Sequence, residues 1–437
     1  MPFSRRRFLV TGSLAAGALA SVKPFAAKAA APEDLHDWDV VRGQFDLDPA
    51  YTHLGLFYLT SHPRPVRAAI ELYRRKLDAN PFLTVEQGMF EAPERNLPLR
   101  VTTALGKYIG GDADDIALTP NTTTGLSLIY HGLPLKTGDE ILATNHDHFA
   151  HHEAIRLATE RNGASWRRIP LWESWSSITS DGIVDHIRRE IRPNTRVVGV
   201  TWVHSQSGVR LPIRRIADMI GEVNRDRPNR VLLIVDGVHG IGVEDPGVVS
   251  LGADAFAAGL HKWIFAPRGT GFVWARREVW ASMRPLIPSF SSFDVFAAWG
   301  AGHPPTTTPK AAWFTPGGFQ SFEHQWAVPA ALEFHSAIGP ARITQRIHAL
   351  NQAMNEELRK LPNVKIVYTP ENPQLNAGMV CFDLNGLDAD KTVAKLLQKN
   401  IIGSTTPYFV PFARLAFGIM NTPQEVEKTA RALRSLA

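Results

Sequence analysis

The chain has 437 residues, 44% hydrophobic and 20% charged, with a formal net charge of +5. That length exceeds one compact core of ordinary size, so a large domain and a smaller one are expected. A single cysteine, Cys381, excludes an internal disulfide framework and a cysteine-based metal cluster.

The N-terminus reads SRRRFLVTGSLAAGALASVKPFAAKAAAPE. Ser4, Arg5, Arg6, Phe8 and Leu9 fit a twin-arginine export signal, followed by a weakly apolar stretch and small residues for cleavage near Ala27–Ala31. Lys23 interrupts the apolar run too early for a membrane anchor. Residues 1–31 are therefore expected to be a signal peptide that directs the chain to the periplasm. Arg5, Arg6, Arg7, Lys23 and Lys28 belong to it. Without them Lys+Arg drops from 47 to the level of the 42 acidic residues, so no electrostatic reason remains to expect nucleic acid.

Residues 32–80 are expected to form an N-terminal arm, with a His-Pro-Arg-Pro turn and an amphipathic helix from about Val66. A large domain over 81–320 follows. Its predicted strands are 116–119, 140–145, 197–203, 231–236, 255–259 and 271–275, alternating with helical patterns. In the segment before the fourth strand, Ile213, Ile216, Ala217, Ile220 and Val223 share one helical face. Alternation of this kind predicts an α/β fold with a mostly parallel sheet, whose ligands sit at the carboxyl ends of the strands. Residues 287–320 are rich in Pro, Gly, Thr and aromatics and lack periodicity, which suggests a functional or partner surface. Residues 321–437 are expected to form a smaller C-terminal α+β domain, with strands VKIVYT, GMVCFDL and ARLAFGI and helices over 388–399 and 423–436.

The most informative stretch runs from Val231 to Gly271. One apolar strand delivers Asp236 at its end, and a second delivers Lys262 before a glycine-bracketed turn. A lysine amine for a Schiff base and a carboxylate for a pyridinium nitrogen are what pyridoxal 5′-phosphate (PLP) requires. Upstream, PNTTTG places Thr122 and Thr123 at the start of a helix, where amides and hydroxyls suit the cofactor phosphate. In NHDHFAHHE, the residues His146, His148, His151 and His152 invite a zinc site, but their spacing favours one imidazole, His148, lying flat on the cofactor ring. Ser205 is a candidate partner of the phenolic oxygen, and His204 and Gln206 face substrate in this reading. His239 reaches the phenolic oxygen or the substrate, and His261 donates to the phosphate. Arg414, inside an apolar strand, needs a carboxylate partner, which an amino-acid substrate supplies.

Taken together, VDGVHG, GLHKW, PRGTG, PNTTTG and RLAFGIMNT resemble the class V aminotransferases of PLP fold type I. That resemblance implies Lys262 as the Schiff-base lysine, Asp236 as the pyridinium partner and His148 as the stacking ring. It also implies Thr122, Thr123 and His261 at the phosphate and Arg414 at the substrate carboxylate. SHPRPVRAAI, VHSQSGVRLPI and TPGGFQSFEHQWA are most similar to exported members of the isopenicillin N epimerase-like branch, which includes periplasmic tailoring of pyoverdine-type siderophores. Members of the class are homodimers, so Gly317 and Gly318 are expected near the partner's phosphate. Two departures stand out. Gly259 replaces a Ser or Thr common in relatives, and Cys381 reads as core rather than as a mobile desulfurase cysteine.

The resemblance implies a small-molecule amino-acid or peptide substrate whose amino group lies next to a carboxylate, processed through an aldimine and carbanion. Transamination, epimerisation, elimination and decarboxylation stay open at this level, with an epimerase-like racemase or a C–S lyase as alternatives. From outside the class, a metal hydrolase built on the histidine cluster and a degenerate binding homologue are the competing readings.

Overall fold

The computed structural model describes residues 34–90, 93–244 and 247–436, so the expected signal peptide lies outside the described residues. A seven-stranded sheet forms the centre, in the order β2 (Ile116–Thr119), β8 (Gly271–Ala275), β7 (Ala255–Gly259), β6 (Leu232–Asp236), β5 (Thr195–Thr201), β3 (Glu140–Thr144) and β4 (Ser165–Ile169). Strands β3 to β7 run parallel, and β8 is antiparallel to both neighbours. The fold is α/β, with a mostly parallel sheet and a separate C-terminal antiparallel sheet.

Strands β5 to β8 are buried along almost their whole length, which explains their unbroken Val, Ile, Ala and Phe runs. The β2, β7 and β8 bounds match the expectation. The predicted strand over 197–203 instead spans 195–201, leaving Trp202 and Val203 in the polar turn beyond it. Sequence reasoning missed β4, whose SWRRI is polar and half-exposed because it forms the sheet edge.

Among the helices, α2 (Leu97–Ile109), α3 (Thr122–Gly132), α4 (Phe149–Asn162) and α5 (Ile213–Val223) lie against strands of the sheet, whereas α1 (Arg64–Ala79) packs on other helices. Glycine lets α3 lie close on it: a Cβ at Gly125 would stand 3.1 Å from Val273 and 3.2 Å from Ala257. Helices α6 (Phe322–Trp326) and α7 (Val328–Ile338) pack on α1 and α2. From α8 (Pro340–Lys360) onward the chain builds the C-terminal unit. It holds β9 (Val364–Val367), β10 (Val380–Leu384), α9 (Ala389–Leu397), β12 (Ser404–Thr405), β13 (Ala413–Leu415) and α10 (Pro423–Arg434), in the sheet order β12-β13-β10-β9. The N-terminal arm joins this unit, because β1 (Thr52–His53) pairs in parallel with β11 (Ile401–Ile402).

Residues 287–320 contain the short helix Phe293–Gly300, whose Phe293, Phe296 and Trp299 are exposed. Asp294 on its other side bonds Ser292, Thr307 and Trp313. Among the described residues, no helix is long and apolar enough to cross a membrane.

Candidate active site

A cavity of about 250 Å³ opens at the carboxyl ends of β5, β6 and β7. Asp236, Lys262, His148, Thr122, Thr123, Ser205, His239, His261 and Arg414 all reach its wall. The cavity is at the small end for a ligand site.

Asp236 ends β6 and is only 3% exposed. Its Oδ1 accepts the backbone N–H of Val238 at 3.1 Å. Burial pushes its carboxyl up, opposed by His151, the Val238 amide and Lys262. Lys262 sits in the turn after β7, where burial and the Arg414 charge push its amine down to about 8 against the pull of Asp236. The amine lies 3.2 Å from His239 Nε2. Thr60, from the arm, donates to the carbonyls of both His261 and Lys262 at 3.2 and 3.1 Å, anchoring this turn. Nothing in the sequence around Thr60 signalled that role.

At the start of α3, the Asn121 side chain accepts from Thr124 N at 2.9 Å and caps the helix. The first turn thus faces the cavity with the amide dipoles that favour an anion. Thr122 Oγ1 accepts from Gly259 N at 2.7 Å, tying the loop to the end of β7. A Cβ at Gly259 would stand 2.8 Å from the His261 ring and 3.2 Å from Thr122 Oγ1. The missing side chain therefore makes room for His261 beside Thr122.

His148 caps α4, its Nδ1 accepting from Ala150 N at 3.2 Å. Burial, then Lys262 and Arg414, hold it down to about 4, so the ring is neutral. The four clustered histidines go four ways. His146 stacks on Trp172 at 3.8 Å, His148 lines the cavity, His151 bonds the Tyr130 hydroxyl at 2.6 Å, and His152 meets the Thr144 carbonyl at 2.8 Å. No group of three or more His, Cys, Asp or Glu among the described residues is arranged to hold a metal, so the hydrolase alternative has no site there.

One expectation is corrected. His204, assigned to substrate, is fully buried and stacked against His146 at 5.4 Å, off the cavity wall. Ser205 does reach the cavity, but its hydroxyl meets that of Tyr408 at 2.6 Å. Gly317 and Gly318 lie outside the cavity of their own chain; Gly317 N donates to Pro288 O at 2.8 Å.

Arg414 on β13 is 4% exposed. It donates to the Ser205 carbonyl at 2.6 Å and to Ser404 Oγ at 3.1 Å, and its guanidinium lies 3.8 Å from the Phe57 ring centroid. Its Nε has no partner, and no carboxylate pairs with it among the described residues. A buried cation left in this state is suited to an incoming anion.

These donors fit PLP: an anion-binding helix start, a carboxylate for a protonated ring nitrogen, a neutral imidazole for the ring face and an amine of lowered basicity. When bound, the cofactor supplies an aldehyde to the lysine amine and an electron sink for a carbanion beside the substrate nitrogen.

The aminotransferase class-V family model matches residues 60–428. Isopenicillin N epimerase of Streptomyces clavuligerus is 26% identical over 411 residues, covering 92% of this chain and 98% of its own. A probable cysteine desulfurase of Xylella fastidiosa strain 9a5c is 26% identical over 429 residues, covering 92% and 96%. Among solved structures, a C-DES lysine mutant with glycine covalently linked to the PLP cofactor matches with TM-score 0.77 at 22% identity, over 90% of this chain and 98% of that one. The apo cysteine desulfurase of Thermococcus onnurineus NA1 matches with TM-score 0.77 at 21% identity, over 91% and 97%. These structural likenesses bear on the fold.

Proposed function

From the premise that the chain belongs to the class-V aminotransferase family and is a PLP-dependent enzyme, we propose that it acts on an amino group next to a carboxylate. In this reading it works in the periplasm as a homodimer, after twin-arginine export, and tailors an exported metabolite such as a pyoverdine-type siderophore. The observation that carries the substrate class is Arg414: a buried guanidinium on the same cavity wall as Lys262, without a carboxylate of its own. The signal at Arg5 and Arg6 supports the location, and the exposed apolar side chains beside Gly317 and Gly318 support the dimer.

Epimerisation is the second reading, favoured by the likeness to isopenicillin N epimerase along almost the full chain. Desulfuration through a persulfide is disfavoured. Cys381 is fully buried in β10, and burial pushes its thiol up to about 12.

The test is spectroscopic. The purified protein is yellow, and its visible band responds to amino acids, peptides and siderophore precursors that carry a free carboxylate beside the reacting amine. If none of them perturbs the band, the substrate reading fails while the cofactor assignment stands. Solvent deuterium entering recovered substrate without keto product selects epimerisation over transamination. Arg5→Lys with Arg6→Lys leaves the precursor in the cytoplasm; export of that variant overturns the location.

A further inference from the structure

Trp263 follows the reactive lysine in sequence, yet its indole is 1% exposed and turns away from the cavity. Its Nε1 donates to His239 Nδ1 at 3.3 Å, and His239 Nε2 lies 3.2 Å from Lys262 Nζ. An indole N–H only donates, so Nδ1 of His239 is an acceptor. A neutral imidazole that accepts at Nδ1 carries its proton on Nε2. That N–H points at Lys262, and an amine accepts a hydrogen bond only while it is unprotonated.

We propose that Trp263 is a positioning residue: through the tautomer it imposes on His239, it presents an N–H to Lys262 and favours the unprotonated, nucleophilic form of the amine. Without the indole donor, His239 is free to place its proton on Nδ1 and accept from an ammonium instead. The inference rests on Lys262 as the reactive amine.

The indole is built not to move. Gly378, at φ +66°, lies against its ring, where a Cβ would stand 3.1 Å from two ring carbons. The Trp263 carbonyl is paired with His335 Nε2 at 2.8 Å, and His335 Nδ1 with the Tyr108 hydroxyl at 3.2 Å. Other charged or titratable groups around the amine pull in both directions. Asp236 at the end of β6 favours the ammonium, whereas Arg414 from β13 disfavours it. Burial and then Lys262 hold His148 and His261 low, and the same causes hold His239 well below its ordinary range. The imidazole is therefore neutral at working pH, as the tautomer argument requires.

The experiment uses the full-length protein stripped of cofactor. Lys262 is labelled with an amine-reactive reagent across pH, and the extent is read by mass spectrometry. Trp263→Phe keeps the ring and removes the donor. It moves the labelling midpoint up by about one pH unit, so labelling at pH 7 slows about tenfold, the size of one lost hydrogen bond. In His239→Gln the amide donates without help from the indole, so adding Trp263→Phe to that variant leaves its midpoint in place. A core-packing role alone would lower Tm and leave the midpoints where they are. An unchanged midpoint in folded Trp263→Phe overturns the proposal. Should that variant not fold, His239→Leu carries the same expectation and the same refutation. Because the readout needs no cofactor, a failure to bind PLP is seen separately, as a colourless wild type.

Discussion

The hydroxyls of Tyr408 and Ser205 lie 2.6 Å apart and join the C-terminal unit to the polar turn after β5. Two more bonds run beside them, from Arg414 to the Ser205 carbonyl and from Gln206 to the Val410 carbonyl at 2.8 Å. The 404–414 segment is thus latched onto the cavity rim, and Tyr408 also stands edge-on to His148 at 6.1 Å.

Tyr408→Phe removes one bond of that latch and keeps the ring. A single hydrogen bond contributes about 0.5–1.5 kcal/mol. The expected result is a kcat/KM drop of up to about tenfold with full cofactor occupancy, read from steady-state kinetics alongside the visible band. Loss of the cofactor in this variant would contradict that expectation.

Arg414 carries opposite consequences for stability and function. Arg414→Met relieves a buried charge without a carboxylate partner, so the cofactor-free protein holds or gains Tm. The same change lowers kcat/KM for a carboxylate substrate by about 2–3 kcal/mol in ΔΔG‡, the value of a charged hydrogen-bonded contact. Arg414→Lys does not restore it, because an ammonium lacks the planar fork. Calorimetry and kinetics on the same preparations check both signs.

Lys262 makes the cofactor-free protein pH-dependent. Its amine is held at about 8 in the fold against 10.5 ordinarily. Between those values the unfolded chain binds a proton that the native chain lacks, so stability rises with pH through that window. Lys262→Met removes this dependence. At pH 7 the variant is more stable than wild type by at most about 3 kcal/mol, at about 1.4 kcal/mol per unit, and by less because the lysine is partly exposed. The difference vanishes above about pH 10, which denaturant titrations at several pH values would reveal. The same variant is not fixed to PLP by borohydride.

Gly199 in β5 leaves space for the buried Tyr130–His151 bond. A Cβ there would stand 2.3 Å from the Tyr130 hydroxyl and 3.1 Å from His151 Nε2. Gly199→Ala therefore overpacks the core by about 1–3 kcal/mol. Tyr130→Phe removes the clashing oxygen and recovers part of that loss, so the double-mutant cycle is non-additive. Additive effects on Tm would contradict this geometry.

Much of the site was legible because its residues cluster at strand ends. Asp236 and Lys262 follow strands with strong apolar runs, and Thr122 starts a helix with an evident cap. The sequence was silent where contacts are long-range. Tyr408 meets Ser205 across 203 residues, and Thr60 meets the Lys262 carbonyl across 202. His204 was misread because its place in a polar turn after β5 does not reveal that the ring packs inward against His146 and Trp172. His148 and His151 are spaced alike on paper; only the packing of α4 sends one to the cavity and the other to Tyr130.

The pairing of Thr52 with Ile401 makes completion of the site a late event in the life of the chain. The arm that carries Thr60 to the Lys262 turn docks against strand β11, and Arg414 follows that strand. A nascent chain holding every residue of the phosphate loop, with Asp236 and Lys262 already folded, still lacks one wall. Contacts of such sequence separation form slowly and after local structure. A cofactor that needs the whole site therefore meets it only in a molecule whose arm and C-terminal unit have already docked.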